Sequence, residues 1–229
     1  MASCCGAQPN QYNSPMHVDP GLALYYLTFV PAIIIAITGH EFAHAWVAYR
    51  FGDRTAYDEG RVSLNPLVHL DPIGTLGILF VGFGWGKPVP VDTRQLRHPK
   101  ADLLVSAAGP ATNLLIAALC AIPLRVPGLM DWFRQVGFGQ SAMLLFPMFV
   151  QVNLMLAVFN FLPIGPLDGS HVLAELLPLR QGLQFREFNR TYGYLLLTLL
   201  ILSGYLLPVS ILSLVVGPAI NFFADLLLG

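Results

Sequence analysis

The chain has 229 residues, 55% of them hydrophobic and 11% charged, with a formal net charge of −1. A soluble domain carries about 25% charged residues, so this composition excludes an ordinary water-soluble protein and makes the lipid bilayer the solvent for most of the chain. Near-neutral charge also excludes nucleic acid as a partner, which would require a basic face.

Residues 1–20 read as a polar N-terminal tail. They lack a basic n-region, and the apolar run after them leads into chemistry instead of a small-residue cleavage site, so no signal peptide is expected. Cys4 and Cys5 are adjacent, which does not give the spaced pattern of a structural zinc site. They read as unpaired thiols, with lipidation or redox use as the alternatives. Gly21–Gly39 is the first uncharged stretch and runs directly into His40-Glu41-Phe42-Ala43-His44, with helix expected to about Phe51. A span needs about 20 helical residues to cross about 30 Å of hydrocarbon. Pro72–Gly86 is too short and too glycine-rich for that, so 72–91 is expected as a re-entrant or extended hairpin. Leu103–Leu124 and Ser141–Leu167 are long enough to span. Thr191–Ala224 reads as two short helices broken near Pro208, in preference to one span with an amphipathic tail.

The expected fold is therefore an all-α polytopic membrane protein with about four to six transmembrane helices. It forms one membrane-embedded domain over 21–229, with a catalytic core of about 21–180. Arg50, Arg54, Arg61, Lys87, Arg94, Arg97 and Lys100 fall between the first and third apolar runs, and Arg180, Arg186 and Arg190 between the fourth and last. Only Arg125 and Arg134 lie between the third and fourth. The positive-inside bias then places the N-terminus outside and the 50–100 and 180–190 segments in the cytoplasm. His44 and Asp168 fall towards that same side.

His40 and His44 are spaced i, i+4, so both imidazoles project from one helix face and can share one Zn²⁺. Glu41 lies about 100° round from His40, where its carboxylate can act as base towards a water at the open metal position. Three ionisable groups directly after an uncharged run are costly in a membrane unless they share a purpose. A catalytic zinc site usually has a third protein ligand. Asp168 is the one charged residue between Ser141 and Leu173, placed where two prolines and two glycines end the helix. His171 is the rival donor.

Together, HEFAH on the first span and Asn160-x-x-Pro163 running into Leu167-Asp168-Gly169 resemble the site-2 protease family of intramembrane zinc metalloproteases. Further matches lie in Gly60–Pro72, Gly84–Val91 and Ala108–Asn113, and they resemble the compact bacterial branch without PDZ or CBS modules. The resemblance spans roughly residues 35–180. It implies one Zn²⁺ held by His40, His44 and Asp168, with Glu41 as acid/base, and Asn160 and Pro166 positioning a transmembrane protein substrate. It also implies a multi-pass protein of the bacterial inner membrane. Gly165 stands where members of this family often carry proline.

Other residues keep two readings each. Lys87–Val91 alternates proline and valine, so it is extended: a stiff connector, or an edge that pairs with an unwound substrate. His69 either caps a loop turn or gates the site entrance. Asn113 either hydrogen-bonds across a helix contact opened by Ala107, Ala108 and Gly109, or touches substrate. A metal-binding transporter or sensor, and a catalytically silent membrane chaperone, are the competing functions.

Overall fold

The computed structural model describes residues 20–81 and 84–229. The tail expected at 1–20, including Cys4 and Cys5, lies outside them apart from Pro20. Helices dominate: α1 (Pro20–Arg50), α2 (Thr55–Asp58), α3 (Pro72–Val81), α4 (Ala101–Arg125), α5 (Leu129–Gln135), α6 (Gly139–Asn160), α7 (Asp168–Leu176), α8 (Leu179–Leu206) and α9 (Ile211–Leu228). Among the described residues the nearest thing to a sheet is one antiparallel bridge, Leu70 to Gly86. Among the described residues four helices are long and apolar enough to cross a membrane: α1, α4, α6 and α9. That fits the expected all-α polytopic class.

The centre of the bundle is α1, α4 and α6, each packed on the other two. In lipid, burial of apolar surface gives little drive for helix association, and small residues that allow close approach take over. Ala32, Ala36, Ala43, Ala45 and Ala48 of α1 are buried, as are Ala117 and Ala121 of α4. Against them, α6 sets Val150, Val152 and Leu154.

The segment after α1 behaves as its composition suggests. α3 has ten residues, about 15 Å at 1.5 Å per residue, or half a bilayer. It lies beside α1, with Ile78 on the Ala32–Ile37 cluster and the Tyr26 hydroxyl donating to the Leu79 carbonyl at 3.0 Å. The chain then returns through Gly84–Gly86 to pair with Leu70, and the Lys87 amide donates to the His69 carbonyl at 2.7 Å. Gly74 is where the two legs meet: a Cβ there would strike the Trp85 carbonyl oxygen.

The C-terminal run is broken at Leu207–Ser210, as the proline at 208 implies, and Ser210 caps α9. Only α9 of this pair is a candidate span. Arg186 of α8 bridges Asp102 in the first turn of α4 and Glu175 of α7. Leu197 packs on Val158 and Leu162, and the Ser203 hydroxyl accepts from the Ile211 amide at 3.1 Å. These partners lie at one end of the bundle, so α8 runs across that end. α9 then travels along α6 and α4 to the other end, where Arg125 donates to the Leu226 carbonyl at 3.0 Å.

Candidate metal centre

His40 and His44 sit on adjacent turns of α1, and both are buried. Each ring has its Nδ1 committed. His44 Nδ1 lies 2.7 Å from the Val105 carbonyl of α4, which can only accept, so this nitrogen carries the proton. His40 Nδ1 lies 2.7 Å from Asn113 Oδ1. The Asn113 amide nitrogen donates both to the Ala36 carbonyl at 3.0 Å and to Asn153 Oδ1 at 2.9 Å, which leaves its oxygen to accept. The Nε2 lone pairs of both rings are therefore free, and they face one another 3.0 Å apart.

Asp168 opens α7 and brings its carboxylate to the same point. Oδ2 is 3.1 Å from His40 Nε2 and 3.4 Å from His44 Nε2. It is a buried oxygen with no hydrogen-bond partner. Three electron-rich atoms directed at one another without a proton between them repel, and a cation resolves the repulsion. Their spacing also suits the metal: ligand bonds of about 2.0–2.2 Å in a tetrahedral site separate the donors by about 3.3 Å. Among the described residues, His40, His44 and Asp168 are the one group of three or more such side chains able to hold a metal ion.

Gly109 of α4 backs this group. A Cβ there would lie 2.7 Å from His40 Nε2 and would collide with His44 Nε2. The close helix contact expected from Ala107–Gly109 thus has a specific purpose, because any side chain at 109 enters the space where the donors meet.

Glu41 is half-buried and stands outside the three-donor group. Its Oε2 accepts the Val89 amide at 3.2 Å, from the extended Lys87–Val91 segment. Arg61, itself buried, holds that segment from behind through the carbonyls of Lys87 at 2.5 Å and Pro88 at 3.3 Å. The Val89 carbonyl and the Val91 amide make no hydrogen bond among the described residues.

The remaining candidates separate clearly. His171 is exposed and stands outside the donor group that contains Asp168. Asn113 is wholly enclosed and its amide is spent on α1 and α6. That geometry supports the interhelical reading over the substrate contact. His69 is also fully buried, with Nε2 donating to the Ser63 carbonyl at 2.7 Å. It closes the 63–69 loop from inside, a turn-capping arrangement, and does not stand at an entrance. Asn160 and Pro166 keep accessible surface beside the Asp168 turn, although the Asn160 amide nitrogen donates to Leu156 at 3.0 Å. Sequence reasoning overlooked Asn153. Its signal was partial: an amide within apolar α6 is costly unless satisfied, but Gln140, Gln151 and Asn160 share that helix and nothing local singles out Asn153.

The chain is similar to known proteins at both halves of this centre. The model of peptidase family M50 matches residues 134–203, the stretch that carries Asp168. A Bacillus subtilis protein named "Putative zinc metalloprotease YwhC" is 38% identical over 90% of this chain and 93% of its own length. "Putative zinc metalloprotease Rip2" of Mycolicibacterium smegmatis is 34% identical over 64% of this chain and 59% of its own length. "Putative zinc metalloprotease MJ0611" of Methanocaldococcus jannaschii is 30% identical over 64% of this chain and 71% of its own length. No solved structure matches. With four apolar helices, a His-His-Asp donor group and a relative similar along nearly its whole length, the chain belongs to peptidase family M50, the site-2 protease family, as a compact multi-pass zinc metalloprotease.

Proposed function

We propose that this enzyme cleaves peptide bonds in or beside transmembrane segments of membrane-protein substrates, with His40, His44 and Asp168 holding the zinc and Glu41 as acid/base. The carrying observation is the convergence of those three donors inside an apolar bundle, one residue along the helix from a carboxylate that is not among them. Residues 21–229 act together as one membrane-embedded catalytic domain.

Zinc, when bound, supplies Lewis-acid polarisation of the scissile carbonyl and makes an attacking water acidic at neutral pH. The protein's own groups do the rest. Asn113 and the Val105 carbonyl hold the two imidazoles in the tautomer that leaves Nε2 free, an outer-layer role that commonly fixes ring orientation in zinc enzymes. Glu41 takes the proton of the attacking water on a carboxylate oxygen and delivers it to the leaving amine. Its contact with the Val89 amide orients the carboxylate, and releasing that contact frees Oε2 for the proton.

A helical peptide bond is hydrogen-bonded to its own helix, so the substrate must unwind before it is cut. The unpaired Val89 carbonyl and Val91 amide offer an edge on which the unwound segment pairs by strand addition. Asn160 and Pro166, accessible beside the Asp168 turn, position the opposite flank. The arginines and lysines concentrated in 50–100 and 180–190 support an active site on the cytoplasmic side of the cell membrane. A transport function would call for polar groups strung across the bilayer, whereas these cluster at one depth.

The test is a purified Glu41→Gln enzyme with a model transmembrane substrate. Zinc content is expected to stay at the wild-type level, while cleavage falls by at least about 10²-fold, the usual weight of a general base. Cleavage at the wild-type rate would remove Glu41 from the mechanism.

A further inference from the structure

The turn that delivers Asp168 lies between α6 and α7, while the imidazoles it must meet are on α1. Hydrogen bonds inside the turn, Ile164 amide to Leu162 carbonyl at 2.8 Å and Leu167 amide to Ile164 carbonyl at 2.9 Å, fix its local shape. They do not fix where it sits relative to α1. That placement comes through two neighbours: α7 packs against α4, which lies on α1, and α8 holds the turn itself. Asn189, buried, accepts the Gly165 amide through Oδ1 at 2.6 Å, the one hydrogen bond among the described residues that ties 161–167 to an element other than the flanking α6 and α7. Its amide nitrogen donates to the Phe185 carbonyl at 3.1 Å, which orients the side chain with oxygen towards the turn.

Gly193 is one helical turn further along the same face of α8. The Gly165 backbone lies directly against it: a Cβ on Gly193 would come within 2.5 Å of the Gly165 carbonyl oxygen and 3.0 Å of its Cα. Leu197, another turn on, packs with Leu162 and Leu167. A stripe at 189, 193 and 197 therefore seats the whole turn. The Gly165 amide is what makes this possible, since proline at that position has no N–H to donate.

We infer that Asn189 and Gly193 are positioning residues for the Asp168 carboxylate, so that α8, beyond the expected core of 21–180, sets the third zinc ligand. A ligand on a turn binds tightly only if the turn is already ordered, because otherwise ordering is charged against metal affinity. The inference rests on the proposed assignment of Asp168 as a ligand, and the experiment separates the two.

Purified full-length protein is stripped of metal and reloaded with Co²⁺, whose visible spectrum reports the ligand set, and zinc affinity is measured by competition with a chelator. Asp168→Asn serves as the reference. A reference spectrum identical to wild type would refute the ligand assignment itself, independently of α8. Given a shifted reference, Asn189→Leu is expected to move the spectrum towards it and to weaken zinc about 10–100-fold, the usual cost of losing an outer-layer partner. Helical content should be unchanged. Asn189→Asp keeps an acceptor oxygen but cannot donate to the Phe185 carbonyl, so it is expected to recover only part of the wild-type spectrum and affinity. A folded Asn189→Leu protein with wild-type spectrum and affinity overturns the inference. Should Asn189→Leu fail to fold, Gly193→Ala decides: its methyl presses on the Gly165 carbonyl, and an unchanged cobalt spectrum overturns the inference.

Discussion

The interior of α1, α4 and α6 and the loop layer over residues 51–98 both bury polar side chains, but they use the hydrogen-bonding capacity differently. In the loop layer it goes to backbone. Asp53, fully buried, receives the Thr55 amide at 2.9 Å and hydroxyl at 2.6 Å on one oxygen, and the Asp92 amide at 2.8 Å on the other. Arg61 and His69 spend their donors on carbonyls and leave one stray nitrogen each. Inside the helices part of it goes to the Ala36, Val105 and Phe149 carbonyls, but a relay also runs side chain to side chain from Asn153 to Asn113 to His40. His40 Nε2, His44 Nε2 and the Asp168 carboxylate are left over at one place. Burial of a polar group thus says little about function. Leftover valence from three residues converging at one point says a good deal.

Removing a donor tests this difference most severely. His44→Ala is expected to lose stoichiometric zinc and all cleavage while keeping its helical content, as read by metal analysis and circular dichroism in detergent. A protein that still binds one zinc per chain would place the metal elsewhere. The relay comes next. Asn113→Leu leaves the His40 Nδ1 proton and Asn153 Oδ1 without partners. Zinc affinity is expected to fall about 10–100-fold, together with about 1–3 kcal/mol of stability for the stranded groups. Asp53→Ala should separate these two effects. It strands the Asp92 and Thr55 amides at a similar cost of about 1–3 kcal/mol, yet zinc affinity is expected to be unchanged. If Asp53→Ala weakened zinc as Asn113→Leu does, the two regions would not be distinct.

How legible these features are in the sequence follows from contrast. His40, Glu41, His44 and Asp168 stand out because ionisable groups are rare in apolar runs and because i, i+4 spacing has a direct meaning on a helix. The span positions of α1, α4 and α6 are legible for the same reason, since charge is absent over 21–39, 103–124 and 141–160 within them. Asn189 has no such contrast: Arg186, Glu187 and Arg190 surround it, and nothing local marks one amide there as turned inward. The role of Gly109 depends on how closely α4 approaches α1, a distance no sequence pattern states. His69 and Asn113 keep two readings in sequence because burial decides between them, and burial depends on helices far away in the chain. α8 is harder still. Its second half is as apolar as a span, and only its contacts reveal that it crosses the end of the bundle.

The smallest expected effect lies at the outer edge of the loop layer, and it defines where the comparison stops. Asp92 caps the turn at Thr93–Gln95, and its carboxyl is lowered to about 2, chiefly by hydrogen bonds from the Arg94 side chain and then from Gln95. A carboxyl lowered in the folded state contributes stability above its ordinary pKa near 3.8 and loses it as pH falls towards 2. Acidification from neutrality to about pH 5 should therefore leave this turn intact. Arg94→Gln removes the guanidinium, so the carboxyl is expected to titrate closer to 3.8, with its contribution lost at correspondingly higher pH. Zinc affinity at neutral pH should not change, because Asp92 is tied to Asp53 through its backbone amide and not through its carboxyl. A ¹³C titration of the Asp92 carboxyl checks the shift. A midpoint that stayed at about 2 in Arg94→Gln would mean that the Arg94 backbone amide and Gln95, the other two groups lowering it, suffice to hold the cap.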